Sequence, residues 1–293
     1  MEIKSETHKQ LDFDRWILTE RIADYVAERQ NADGGYTFAQ WAESSAQDTY
    51  YGIQILRLLG VEPVRPDRTI AFLKKLQHPD GGFDSIKGAY YVTNSLNDLG
   101  AKLEGDFKGT ILLAKSSLER LGSFEVNIEA SSEIETTYFA VETLRMLGKP
   151  AESSSIPTLI LKLRNHDGSF GRGGYSSMAS VFYALASLKL LRYDVNSLDS
   201  TLRWIRGCEN PAGGFARSPK DFDPYLTLEE LYFGAKALEV LGEASLYRPQ
   251  NLNLIGKFQN RNGGFRRSIF LGISTFEDTF YALSILETLG SPN

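Results

Sequence analysis

Gln77-His78-Pro79-Asp80-Gly81-Gly82-Phe83 returns almost unchanged as Gln30-Asn31-Ala32-Asp33-Gly34-Gly35-Tyr36 and as Gln259-Asn260-Arg261-Asn262-Gly263-Gly264-Phe265. Two looser copies, Asn165-His166-Asp167-Gly168-Ser169-Phe170 and Asn210-Pro211-Ala212-Gly213-Gly214-Phe215, and a worn one at Gly122-Ser123-Phe124 bring the number to six, with closing aromatics 41 to 50 residues apart. A period of this length marks a repeat architecture, in which each unit must stack on its neighbours to bury its apolar face. After each loop comes an apolar stretch ending in Leu-Gly, at Leu59-Gly60, Leu99-Gly100, Leu147-Gly148, Leu241-Gly242 and Leu289-Gly290, with Leu190-Leu191 serving in the fourth unit. Each unit therefore has two halves.

The half before the loop, such as Trp16 to Arg29 or Asp67 to Leu76, sets apolar residues at helical spacing against a charged face, the pattern of a surface helix. Pro66, Pro157 and Pro249 lie at or just before the starts of such helices, where the missing N–H costs nothing. The half after the loop, such as Val181 to Leu191 or Phe280 to Leu289, is apolar or small nearly all round and reads as a buried helix. Ser45, Ser85, Ser132, Ser177, Thr227 and Thr275 stand at its start in the six units, placed to accept from the free N–H groups of the first turn. Asp48, Glu135, Glu230 and Asp278 follow three places later and would complete a capping box in four units. Twelve helices in alternating outer and inner roles predict an all-α α6/α6 toroid, with residues 1–293 forming one domain. The repeated glycines are expected to turn the chain at positive φ rather than to cradle phosphate.

Composition narrows the function classes. An apolar content of 42% can fill a core, yet no run is long enough to cross a bilayer. Met1 to Asp14 is polar and charged, so no secretory leader is expected. Cys208 stands alone, which excludes an internal disulfide and suits a reducing compartment; a cytoplasmic location is expected. With a net charge of −5 and no basic stripe, nucleic acid is not an expected partner.

One turn into each inner helix comes an aromatic pair: Tyr50-Tyr51, Tyr90-Tyr91, Tyr138-Phe139, Phe182-Tyr183, Tyr232-Phe233 and Phe280-Tyr281. One member of each pair is expected to pack inner helix against outer helix, and the other to face a wide central cavity suited to an apolar ligand or a carbocation. The six helix N-termini at one mouth of the ring would favour anions.

Gln followed by Gly-x-aromatic, as in Gln77 to Phe83 and Gln259 to Phe265, resembles the prenyltransferase and squalene-cyclase repeat over nearly the whole chain. A single six-unit ring is similar to the β subunit of protein prenyltransferases. That likeness implies an isoprenoid diphosphate ligand, prenyl transfer and a separate helical α-like subunit. It also implies site residues. The family's zinc ligands, an Asp and a Cys two apart and a His on the next inner helix, match Glu229, Leu231 and Asp278, so no zinc is expected. Arg217, Lys220 and Tyr232 match the diphosphate cluster, while its histidine falls near Ser177. Tyr50, Tyr90, Tyr138, Tyr232 and Phe280 are the expected ligand-binding wall.

The acids admit two readings. Asp48, Glu230 and Asp278 sit where a carboxylate serves a helix start whatever the function, but Glu229 and Glu277 beside them crowd the mouth. The candidate catalytic set is thus Glu229, Glu230, Asp278 and Asp48. Such a cluster could hold magnesium or calcium through oxygen ligands, or raise one carboxyl into a general acid. The acid of cyclases that protonate an alkene lies in Asp-x-Asp-Asp, of which Asp12-Phe13-Asp14 and Asp221-Phe222-Asp223 are incomplete echoes. Three functions stay open: an isoprenoid-handling transferase, a non-catalytic ring binding a lipid, peptide or partner, and a small terpenoid-cyclase-like enzyme. Cys208 reads as an ordinary buried or loop cysteine.

Overall fold

The structure is a computed structural model; it describes residues 19–103, 105, 107–121, 130–151, 155–172, 175–219, 221 and 226–290, with backbone alone at 130–132. The first unit pairs outer α1 (Thr19–Ala27) with inner α2 (Ala46–Leu59), and the second pairs α3 (Pro66–Lys75) with α4 (Ile86–Asp98). Next come α5 (Lys108–Leu121) with α6 (Ala130–Met146), and α7 (Ser155–Leu161) with α8 (Met178–Leu190). The last units pair α9 (Asp199–Cys208) with α10 (Leu228–Val240), and α11 (Arg248–Ile255) with α12 (Phe276–Gly290). Each outer helix packs on the inner helix of its own unit. The inner helices pack in succession from α2 to α12, and α12 packs back on α2, which closes the ring. Among the described residues this makes twelve α-helices, and the extended backbone is limited to a two-residue hairpin, Gly171–Arg172 with Tyr175–Ser176, and isolated bridges.

The loops lock one unit to the next. Thr69 donates from α3 to the carbonyl of Gly34 at 2.8 Å, and Thr110 and Thr201 make the same bond to Gly81 and Gly168 at 2.6 and 2.8 Å. Gly263 extends the pattern across the seam. At φ +91 its missing Cβ leaves room for the backbone of Arg21 on α1, which a side chain would meet at 2.5 Å. The worn copy at Gly122-Ser123-Phe124 lies outside the described residues.

Five inner helices start where the hydroxyls predict. Ser45, Ser85, Ser177, Thr227 and Thr275 accept from the N–H three residues on, at 3.0, 3.0, 3.1, 3.3 and 2.9 Å. The sixth differs, since α6 already begins at Ala130 and Ser132 lies within it. The acids do not close the four expected capping boxes. The complete reciprocal box forms at Ser177, whose N–H donates to the Ser180 hydroxyl at 3.0 Å. The acids have other donors: Asp48 takes the Phe38 N–H, Glu135 takes Lys87, and Asp278 takes the Thr275 hydroxyl at 2.7 Å.

Candidate functional site

The bore is closed by its own aromatic residues. Tyr50, Tyr90, Tyr138, Phe182, Tyr232 and Phe280 form one circle, with neighbouring centroids 5.6 to 6.4 Å apart. Tyr51, Tyr91, Phe139, Tyr183, Phe233 and Tyr281 form a second, at 5.3 to 6.2 Å. These are the separations at which tilted and edge-on rings attract. Both members of every pair therefore point inward, correcting the expectation that one would pack outward. Neighbours on a helix lie about 100° apart, so with the helix axis aimed between them each ring reaches the bore at a slightly different height. The expected wide hole is correspondingly reduced: the twelve rings line a gap of about 50 Å³, room for no more than a few waters.

Helical spacing then decides what lies on either side of this collar. Four residues before the second circle come Gln47, Lys87, Glu135, Ala179, Glu229 and Glu277, at the N-terminal mouth. The Tyr51 and Tyr281 hydroxyls donate to Glu277 at 2.8 and 3.0 Å, and Lys87 donates to Glu135 at 2.9 Å with its ammonium 5.5 Å from the Phe139 centroid. Glu229 is paired with Arg267, and Glu230 with Arg217 at 3.4 Å. Burial lifts the Asp278 carboxyl from an ordinary 3.8 to about 6, against the Thr275 hydroxyl bond and with Glu277 adding repulsion. Burial likewise raises Asp48, opposed by the Phe38 N–H and the Ser45 hydroxyl. Lys220 lies outside the described residues.

On the other side the first circle floors a basin of about 400 Å³, opening toward the inner helices' C-termini. Leu58, Ala186, Leu190 and Val240 supply apolar wall, and Arg57, Glu142, Lys189, Lys236, Glu239 and Glu287 bring charge to it. Lys236 donates to Glu239 at 2.7 Å and to Thr288 at 3.1 Å, and Lys189 to the Val240 carbonyl at 2.9 Å. The five aromatics expected to bind ligand thus come together in the basin floor. Arg217 and the candidate acids gather across the collar, at the other end. Lys189 and Lys236 were missed by sequence reasoning, although their spacing of seven and four residues from Phe182 and Tyr232 puts them on the same helix face.

A family model for the prenyltransferase alpha-alpha toroid domain matches residues 7–89, 84–221 and 226–292. The chain belongs to this toroid family. Drimenyl diphosphate synthase of Streptantibioticus cattleyicolor is 39% identical to it over 74 residues, 24% of the toroid and 14% of that longer protein. Candida albicans protein geranylgeranyltransferase-I complexed with GGPP superposes with a TM-score of 0.68 at 16% identity, over 93% of the toroid and 91% of the other chain. A variant of the type II terpene cyclase MstE from Scytonema, in complex with geranylgeranyl dihydroxybenzoate, gives 0.63 at 11% identity over 93% and 95%. At such identities the likeness is one of fold. Zinc does not fit the matched positions of this toroid. Leu231 offers no donor and is fully buried, Glu229 is held by Arg267, and among the described residues no three of His, Cys, Asp and Glu converge on a metal position.

Proposed function

We propose that this toroid binds an isoprenoid, its tail lying on the aromatic floor of the basin and its diphosphate held by Lys189, Lys236 and Arg57. The observation that carries the reading is the basin itself, a space of about 400 Å³ with an aromatic base, apolar walls and, above them, the cations Arg57, Lys189 and Lys236, which must offset the acids Glu142, Glu239 and Glu287 and the negative helix C-termini. That volume is within the roughly 300–1,000 Å³ of small-molecule sites, whereas the gap inside the collar cannot admit a prenyl chain. Relatives of the same fold carry geranylgeranyl compounds, which supports the ligand class. We place the head group at the basin cations rather than at Arg217, because Arg217 lies on the far side of the collar. Tyr50, Tyr90, Tyr138, Tyr232 and Phe280 are the proposed tail contacts.

The test is titration of farnesyl and geranylgeranyl diphosphate, each against its alcohol, with wild type, Lys189→Ala with Lys236→Ala, and Arg217→Ala. Wild type and Arg217→Ala should prefer diphosphate. The basin double variant should lose about 1.5–3 kcal/mol of that preference for each charged hydrogen bond removed. Equal affinity for alcohol and diphosphate in wild type, or binding of neither, defeats the reading and leaves a ring for some other lipid, peptide or protein.

One observation favours a second reading, acid-initiated cyclisation: Asp278, raised to about 6, keeps a fraction of its proton near neutrality, as a general acid must. Its carboxyl forms no part of the basin wall, so a cyclisable alkene would have to enter from the N-terminal mouth. Turnover of a polyprenyl substrate that Asp278→Asn abolishes, while binding persists, would establish it.

A further inference from the structure

Beside the seam where the ring closes, two loops carry apolar side chains into solvent. One holds Trp41, 99% exposed; the other holds Phe270, Leu271 and Ile273, 63, 85 and 70% exposed. Phe38 to Gln40 of the first loop and Gly272 to Ser274 of the second wall the same groove, of about 750 Å³, so Ile273 lines it and Trp41 and Leu271 each follow or precede a lining residue in the chain. The loops are braced from behind by polar contacts. The Arg266 guanidinium donates to the carbonyls of Lys257, Ser268 and Ile269 at 2.9, 2.9 and 3.0 Å and to Asn260 Oδ1 at 2.6 Å. The Asn31 amide donates to the Ala42 carbonyl at 3.0 Å, next to Trp41, which turns through φ +70, a region bulky residues rarely adopt. The backbone thus holds these side chains out instead of letting them fold onto the core. Clustered exposure of this kind marks an interaction surface.

We propose that this rim docks on the interface of an anionic lipid bilayer. The charge of the second loop favours that partner, although the mouth behind it carries acids. From Lys257 to Thr275 the chain carries Lys257, Arg261, Arg266 and Arg267 and no acid, although its net charge is −5. Arg266 braces the loop and Arg267 pairs with Glu229, while Lys257 and Arg261 are exposed, as is Arg21, which donates to the Arg261 carbonyl at 3.0 Å. The other loop, residues 28–45, carries the exposed acids Glu28, Asp33 and Glu43 against the single cation Arg29, so the positive charge belongs to the second loop. A tryptophan with aliphatic and aromatic neighbours on braced, separate loops can enter the headgroup–acyl boundary with little reordering, and adjacent cations add attraction to anionic lipid. A docked bilayer would lie against the N-terminal rim, since both loops run directly into the caps at Ser45 and Thr275. The proposal is independent of what occupies the basin, which opens on the opposite face.

The experiment is co-sedimentation with phosphatidylcholine vesicles with and without phosphatidylserine, over a range of salt. Wild type should sediment with the anionic vesicles and less as salt rises. Trp41→Ser with Leu271→Ser should weaken partition by about tenfold or more at unchanged melting temperature, because both side chains are exposed. Lys257→Gln with Arg261→Gln should remove only the phosphatidylserine-dependent part. Trp41→Phe should keep binding but lose the quenching of tryptophan emission by brominated lipid that wild type shows. Absence of sedimentation, sedimentation unchanged by the apolar substitutions, or an oligomer that Trp41→Ser dissociates in the ultracentrifuge would overturn the proposal, the last assigning the rim to a protein contact.

Discussion

Replacing Asp278 by Asn separates the two roles that its position allows. A carboxylate in the first turn of a helix gains from the dipole and from the N-cap, whereas a carboxylate that is 7% exposed loses its hydration. Here burial is the larger effect, since the carboxyl is raised from 3.8 to about 6. Each tenfold change in a protonation equilibrium is worth about 1.4 kcal/mol, so the ionised group costs the native state about 3 kcal/mol. Below pH ~3.8 the group is protonated in both states and contributes nothing. Between ~3.8 and ~6 the native state binds more proton than the unfolded chain, so stability falls as pH rises; above ~6 the full penalty stands. Asparagine keeps an oxygen to accept from Thr275 and carries no charge. Asp278→Asn should therefore be nearly neutral at pH 4 and stabilising at pH 8, by up to about 3 kcal/mol. Urea unfolding at both pH values measures the difference. A variant less stable than wild type at pH 8, or a difference that ignores pH, would show that the cap and dipole outweigh burial and that Asp278 is no reservoir of acid.

Two further outcomes follow from packing and burial. Gly234 faces the buried Phe215 ring, which a Cβ would meet at 2.5 Å, so Gly234→Ala should destabilise by about 1–2 kcal/mol once overpacking is set against the gain in helix propensity. Gly52→Ala meets the Tyr36 ring at 3.3 Å and should be within about 1 kcal/mol of wild type; equal losses at both sites in chemical denaturation would contradict the contact argument. Cys208, 1% exposed and pushed up to about 12 by burial with minor help from Asp167 and Asp221, should resist thiol reagents in native protein at pH 8 and react once denaturant unfolds it. Fast labelling of the folded chain would place it near the surface.

What could be read in the sequence was local, and what could not was collective. The glycine loops and hydroxyl caps act within a few residues, so six copies announce six units, and the closing contact of Gly263 with Arg21 is the one that Gly34, Gly168 and Gly213 make with Arg68, Ser200 and Gln250. The capping acids were misassigned because spacing alone does not say which donor a carboxylate will meet: Phe38, Lys87 and Arg217 reach Asp48, Glu135 and Glu230 through the fold. The fate of the aromatic pairs was less legible still. A helix apolar nearly all round gives no sign of which way two adjacent rings turn, and only six such helices in a closed circle bring twelve rings into one plug. Once the plug is known, the sequence does yield the rest, since positions four before the second circle and four or seven after the first must line the two ends. The consequence is functional. With the bore filled, the acids and Arg217 at one end and the aromatic floor with Lys189 and Lys236 at the other cannot grip one ligand through the middle while the collar is closed. Either the rings part to admit a chain, which would surface as binding that Arg217→Ala and Lys236→Ala both weaken, or each end has its own occupant and the two variants act on separate ligands.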